Sequence, residues 1–101
     1  MGVSKAHPLL MFPIPGSGKA ITADETGGTL SDPVSDEARA IQLYASAAMY
    51  YKFSAQTDTI TADDPYIPAN TLITVVAKPR TYLQARALSG TATIRYTEMT
   101  Y

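Results

Sequence analysis

Between Ala38 and the C-terminus the chain repeats one pattern, a short run of alternating apolar and polar residues followed by turn formers. Successive side chains of an extended strand point to opposite faces, so alternation marks an element with one buried and one exposed face. Ala92, Ile94 and Tyr96 alternate with Thr93, Arg95 and Thr97, and Leu83, Ala85 and Ala87 alternate with Gln84 and Arg86. Ser89 and Gly90 separate these two runs, which predicts a C-terminal hairpin. Upstream, Ile41, Leu43 and Ala45 share one side of a strand with Gln42 opposite, and Met49, Tyr51 and Phe53 share another with Lys52 opposite. The run from Leu72 to Ala77 is apolar on both sides, the expectation for an interior strand, and Lys78, Pro79 and Arg80 close it. Short strands at regular spacing predict an all-β fold, a small β-sandwich of jelly-roll or Ig-like type, with a small barrel as the alternative.

One segment supports a rival element. Ser35, Asp36 and Glu37 before Ala38, Arg39 and Ala40 have the form of a helix start, with a capping residue and acidic groups that suit the helix dipole. The aromatic and β-branched content after Tyr44 favours two strands over residues 36–51, and the helix stays open as the alternative. Asp58, Asp63, Asp64, Pro65, Pro68 and Asn70 mark residues 55–70 as a loop with at most one short strand in it.

Residues 1–37 have a different texture. Gly2, Pro8, Pro13, Pro15, Gly16, Gly18, Gly27, Gly28 and Pro33 interrupt any regular helix, and the segment reads as an extended N-terminal arm ahead of a sandwich domain at 38–101. Its apolar patch, Leu9, Leu10, Met11, Phe12 and Ile14, is the candidate partner-binding site, because such a segment alone buries too little to order itself. The alternative for a terminus of this kind is a flexible tail.

Composition limits the partners. At 101 residues the chain makes one domain that buries only about 60–70% of its unfolded surface, so partners are expected to share in its stability. Eight basic and nine acidic residues leave a net charge of -1, with no clustered Lys and Arg for a phosphate backbone, and nucleic acid is not an expected partner. No membrane is expected either: the run from Leu9 to Phe12 lies between Pro8 and Pro13 and is far below the roughly 20 residues a span needs. That run is also short for a signal peptide and lacks a small-residue cleavage site, so the chain is read as used without secretion. The absence of cysteine leaves only non-covalent means of cross-bracing.

The sequence offers no catalytic centre. His7 is the single histidine, placed between Ala6 and Pro8 with no acid or nucleophile assigned to it. Gly16, Ser17, Gly18 and Lys19 resemble a phosphate loop, but the motif requires glycine where Pro13 stands and Ser or Thr where Ala20 stands. Asp58, Asp63 and Asp64 supply oxygen ligands of the kind calcium takes, at a spacing that matches no EF-hand. No catalytic, cofactor-binding or metal-ligating residues are assigned, and no enzymatic activity is expected. Tyr44, Tyr50 and Tyr66 are the stacking residues that an alternative role as a carbohydrate-binding module would use.

Residues Ile41 to Met99 resemble a type of small structural protein of tailed-phage particles. The resemblance rests on Ile41-Gln42-Leu43, Tyr51-Lys52-Phe53, the loop Asp64-Pro65-Tyr66-Ile67-Pro68-Ala69, and the ending from Ser89-Gly90 to Thr97-Glu98-Met99. The type usually has glycine near the position of Asn70, which this chain lacks. The resemblance implies a virion component assembled in the host cytoplasm. Its expected role is a capsid decoration or cement protein that binds the major capsid protein or other virion subunits. The alternative is a ring in the neck or tail at the portal vertex. A homo-oligomer is expected, with a symmetric trimer favoured.

Overall fold

A computed structural model describes residues 11–101. Nine strands occur in chain order: β1 (Phe12–Pro13), β2 (Lys19–Ala23), β3 (Gly28–Thr29), β4 (Ala40–Ala45), β5 (Met49–Ser54), β6 (Tyr66–Ile67), β7 (Leu72–Val76), β8 (Tyr82–Ala87) and β9 (Ala92–Thr100). All pairings are antiparallel, and they build two sheets. One runs β2-β9-β4-β7, with β1 also lying along β9; the other runs β3-β8-β5-β6. The inward side chains, among them Ile41, Leu43, Met49, Ile67, Leu83 and Ile94, meet between the sheets as one core with almost no exposure.

The chain crosses from one sheet to the other at every connection except β1 to β2 and β5 to β6. A five-stranded sheet, in which β1 and β2 share the place beside β9, and a four-stranded sheet interleaved in this way form two Greek keys, the jelly-roll arrangement, and this decides between the jelly-roll and Ig-like forms expected of the sandwich. Residues 36–51 hold the two strands β4 and β5, and no helix forms among the described residues.

The expected C-terminal hairpin is replaced by an arch. Its two runs do form strands, with Leu83, Ala85, Ala87, Ala92, Ile94 and Tyr96 all buried as the alternation predicts. But β8 pairs with β3 and β5, whereas β9 pairs with β1, β2 and β4 in the opposite sheet. Gly90, at φ 62°, permits the sharp reversal. Alternation tells which side chains share a face, and an arch and a hairpin satisfy it equally well.

The run from Leu72 to Ala77 is likewise placed differently from expectation. β7 bonds only to β4 and is an edge strand, with Leu72 57% and Val76 85% exposed. Ile73 and Val75 face the core.

The boundary at residue 38 is corrected as well. From Phe12 onward the expected arm belongs to the sandwich itself: β1 and β2 line one side of β9, β3 caps the edge of β8, and Ala23, Leu30 and Val34 are buried in the core. The segment's glycines and prolines sit where the chain turns between these short strands, so they break helix without preventing strand pairing. Leu30 N–H to Leu83 O at 2.9 Å and Val34 N–H to Thr81 O at 2.8 Å secure the stretch between β3 and β4. Ser17 bridges the break between β1 and β2: its hydroxyl accepts from Glu98 N–H at 3.1 Å and reaches Glu98 O at 3.4 Å. A side chain thus replaces the missing ladder partner.

Candidate interaction surface

The patch read as partner-binding divides. Leu9 and Leu10 lie outside the described residues. Ile14 donates its N–H to Glu98 O at 2.8 Å and packs its side chain against the domain's own core. Met11 is half-buried, and Phe12 is 60% exposed opposite Thr100, at the last residue of β9. Of the described members, Phe12 presents the largest open apolar surface.

A second apolar surface escaped the sequence reading. On the outer face of the β2-β9-β4-β7 sheet, Leu72, Thr74 and Val76 stand exposed along β7, and Tyr44, opposite Leu72, is 38% exposed. The Tyr44 hydroxyl bonds Asn70 Oδ1 at 3.1 Å, which ties the entry of β7 to β4. Asn70 itself adopts φ 54°, the left-handed conformation that asparagine tolerates. The two-sided apolar character of the run was the available signal. Taken alone it cannot distinguish a strand buried on both faces from an edge strand whose outer face is apolar.

The tyrosines do not form one platform. Tyr50 and Tyr66 meet edge-to-face at 6.2 Å on the outside of the β3-β8-β5-β6 sheet, and Tyr44 lies on the outside of the other sheet.

The acidic loop folds against its own sheet. Lys52 Nζ donates to Thr59 O at 2.6 Å and approaches Asp64 Oδ2 at 3.7 Å, while Thr61 N–H donates to the same carboxylate oxygen at 2.8 Å. Beneath the loop Gln84, though outward in the alternation, is buried and donates to Ser54 Oγ and Ala55 O. Ile60 closes over Gly27, where a Cβ would come within 2.9 Å of the isoleucine. Among the described residues no group of three or more His, Cys, Asp or Glu side chains is arranged to hold a metal ion. No helix among them is long and apolar enough to cross a membrane.

A shallow cleft of about 400 Å³ opens at one end of the sandwich, between the β1–β2 break and the 32–37 stretch. Glu98 lies on its inner side, 4% exposed. Ser35 donates to this carboxylate twice, from its hydroxyl at 2.6 Å and its N–H at 3.0 Å, and the Tyr96 hydroxyl donates to it as well. Burial raises the Glu98 pKa, but these donors and the Lys19 charge outweigh it, so the carboxyl is held below its ordinary value. Burial and the adjacent carboxylate drive the Tyr96 phenol well above its usual range. At the rim Lys19 pairs with Asp32 at 3.5 Å. Every polar atom of Glu98 is thus engaged within the fold, and the carboxylate acts as a strut between the 32–37 stretch and β9. Its position in the sequence carried a signal, since an acidic residue follows Ile94 and Tyr96 on the inward side of the alternation.

Comparison with protein-family models, with curated proteins and with solved structures found no match.

Proposed function

We propose that this protein is a non-enzymatic structural component that works by binding other protein subunits, and specifically a virion protein that decorates or cements a phage capsid shell. The observation that carries the reading is the exposure of large apolar side chains on ordered strands: Phe12 at 60%, Leu72 at 57% and Val76 at 85%. On a domain of this size such side chains are suited to subunit contacts, because burying each one at an interface removes apolar surface from water. The jelly roll is compatible, since viral capsid domains use it, but lectin domains use it too, so the fold adds only analogy. The major capsid protein is the proposed partner, and the host cytoplasm the proposed place of assembly. The separation of Tyr44 from Tyr50 and Tyr66 onto opposite faces gives the carbohydrate alternative no common surface.

Quantitative mass spectrometry of purified particles tests the reading. A copy number that follows the number of shell subunits is the expected result. A count matching the rotational symmetry of the portal would replace decoration with a neck or tail ring, and absence from particles would overturn the virion reading.

A further inference from the structure

We propose that the open edge of β7 is a contact between two copies of this chain, formed by antiparallel pairing of β7 with β7 of a second copy about a two-fold axis at Thr74. The inference goes beyond the function proposed above, because it names the occupant of one edge and holds whether or not the larger assembly is a particle.

The hydrogen-bond phase of the sheet defines what this edge presents. Ala77 N–H donates to Arg39 O at 3.1 Å, in line with a register that sets Ala40 opposite Val76. Bonded and non-bonded pairs alternate along an antiparallel ladder, so Ile73 and Val75 direct their backbone groups to β4. Leu72, Thr74 and Val76 then direct theirs outward, giving three N–H donors and three C=O acceptors on one edge.

Edge strands are normally protected by shortness, charge, proline or a break in the ladder. The other edges here follow that rule. β3 and β6 are two residues each, and the β1–β2 edge carries Pro13, Pro15 and Lys19 and is interrupted between its two strands. β7 has five residues with an unbroken register and no charge or proline, and Lys78 and Pro79 come only after it ends.

Its side chains match a second copy. A two-fold axis at Thr74 sets Leu72 against Val76 of the other copy, Ile73 against Val75 and Thr74 against Thr74, so every pair is apolar or Thr–Thr and no like charges face each other. The outward backbone groups of Leu72, Thr74 and Val76 fall in phase as bonded pairs. An axis shifted along the strand loses some of these pairs. The edge is only about 17 Å long, so the contact lies below the roughly 1,200 Å² of a standard stable interface. The dimer is accordingly weak and concentration-dependent, reinforced where many copies are held side by side.

Sedimentation equilibrium of the full chain, repeated on variants at Thr74, tests this. Thr74 is exposed and its N–H does not serve β4, so Thr74→Lys and Thr74→Glu should fold normally. The expected result is a concentration-dependent dimer for the unaltered chain, its loss in each variant alone, and its recovery when the two variants are mixed in equal amounts. An unaltered chain that stays monomeric up to millimolar concentration would overturn the proposal. So would self-association that persists unchanged in Thr74→Lys, which would move the contact elsewhere. If circular dichroism shows either variant unfolded, Thr74→Cys replaces it in a chain with no other cysteine: a disulfide between copies is expected under mild oxidation, and its failure to form counts against the pairing.

Discussion

Residues 12–34 and strand β7 contrast in composition and in position, and the contrast runs opposite to intuition. The first segment is broken by glycine and proline yet supplies β1, β2 and β3 and buries Ala23, Leu30 and Val34. The second is an uninterrupted apolar run yet forms an edge, with Leu72 and Val76 facing outward. Local composition reports how readily a stretch becomes extended, whereas burial depends on where the topology inserts that stretch. β2 and β3 lie over the core because β9 and β8 accept them as neighbours, and β7 is open because nothing among the described residues lies beyond it.

The largest effect expected from this contrast is loss of the fold on deletion of residues 1–34. That truncation strips β9 of two partners and β8 of one, and removes three core side chains, of which Leu30 and Val34 alone contribute roughly 1.5–3 kcal/mol each. Circular dichroism should show no cooperative melting. A truncated chain that melts like the full one would mean that the sandwich is complete without the segment, as a boundary at residue 38 requires.

A smaller effect is expected at the strut that holds the N-terminal side closed. Glu98→Ala leaves Ser35 N–H and the Tyr96 hydroxyl without their acceptor, at a cost of about 2–4 kcal/mol in urea unfolding. The pH dependence follows from the direction of the shift. Since the folded-state pKa lies below the ordinary glutamate value, the carboxylate's contribution is fully present above that value and is lost as pH falls through the folded-state pKa. Glu98→Gln should therefore flatten the acid limb of the stability profile. An unchanged limb would assign acid sensitivity to other carboxylates, such as Asp24, which Thr26 holds below its ordinary pKa through its hydroxyl and N–H.

The smallest effects are expected at two valines, one in each region. At Val34, 2% exposed in the segment that reads as an arm, replacement by alanine should cost about 1–3 kcal/mol of stability. Val76, 85% exposed in the run that reads as core, should change by about 0.5 kcal/mol or less on replacement by lysine. Thermal melts of the two variants at low concentration measure both, and the reverse order would contradict the strand arrangement.

Much of the fold was legible from single positions. The inward placement of Ile41, Leu43, Ala45, Met49, Leu83, Ala85, Ala87, Ala92, Ile94 and Tyr96 follows from a period of two, and each is buried. Less legible was the identity of each strand's neighbours, because Ser89 and Gly90 make a reversal without specifying whether the chain returns in the same sheet. The same gap hid the edge position of β7 and with it the candidate surface. Tyr44, Leu72 and Val76 come together through the β4–β7 register, a pairing across more than twenty residues that no local pattern encodes. Burial of Gln84 was also hidden, since the loop that covers it is separated from it in sequence.

Native-state hydrogen exchange, read residue by residue by NMR on the dilute full chain, distinguishes residues 12–34 as part of the sandwich from residues 12–34 as an arm outside it. Ile21 lies opposite Ile94 in the ladder between β2 and β9, and the Ile14 N–H to Glu98 O bond sets the phase in which Ile21 also bonds to β9. The Ile21 amide should exchange as slowly as the core strands, while the Thr74 amide, directed away from β4, should exchange much faster than that of Val75 beside it. Rapid exchange throughout residues 12–34, with slow exchange confined to residues after 38, would place the segment outside the sandwich.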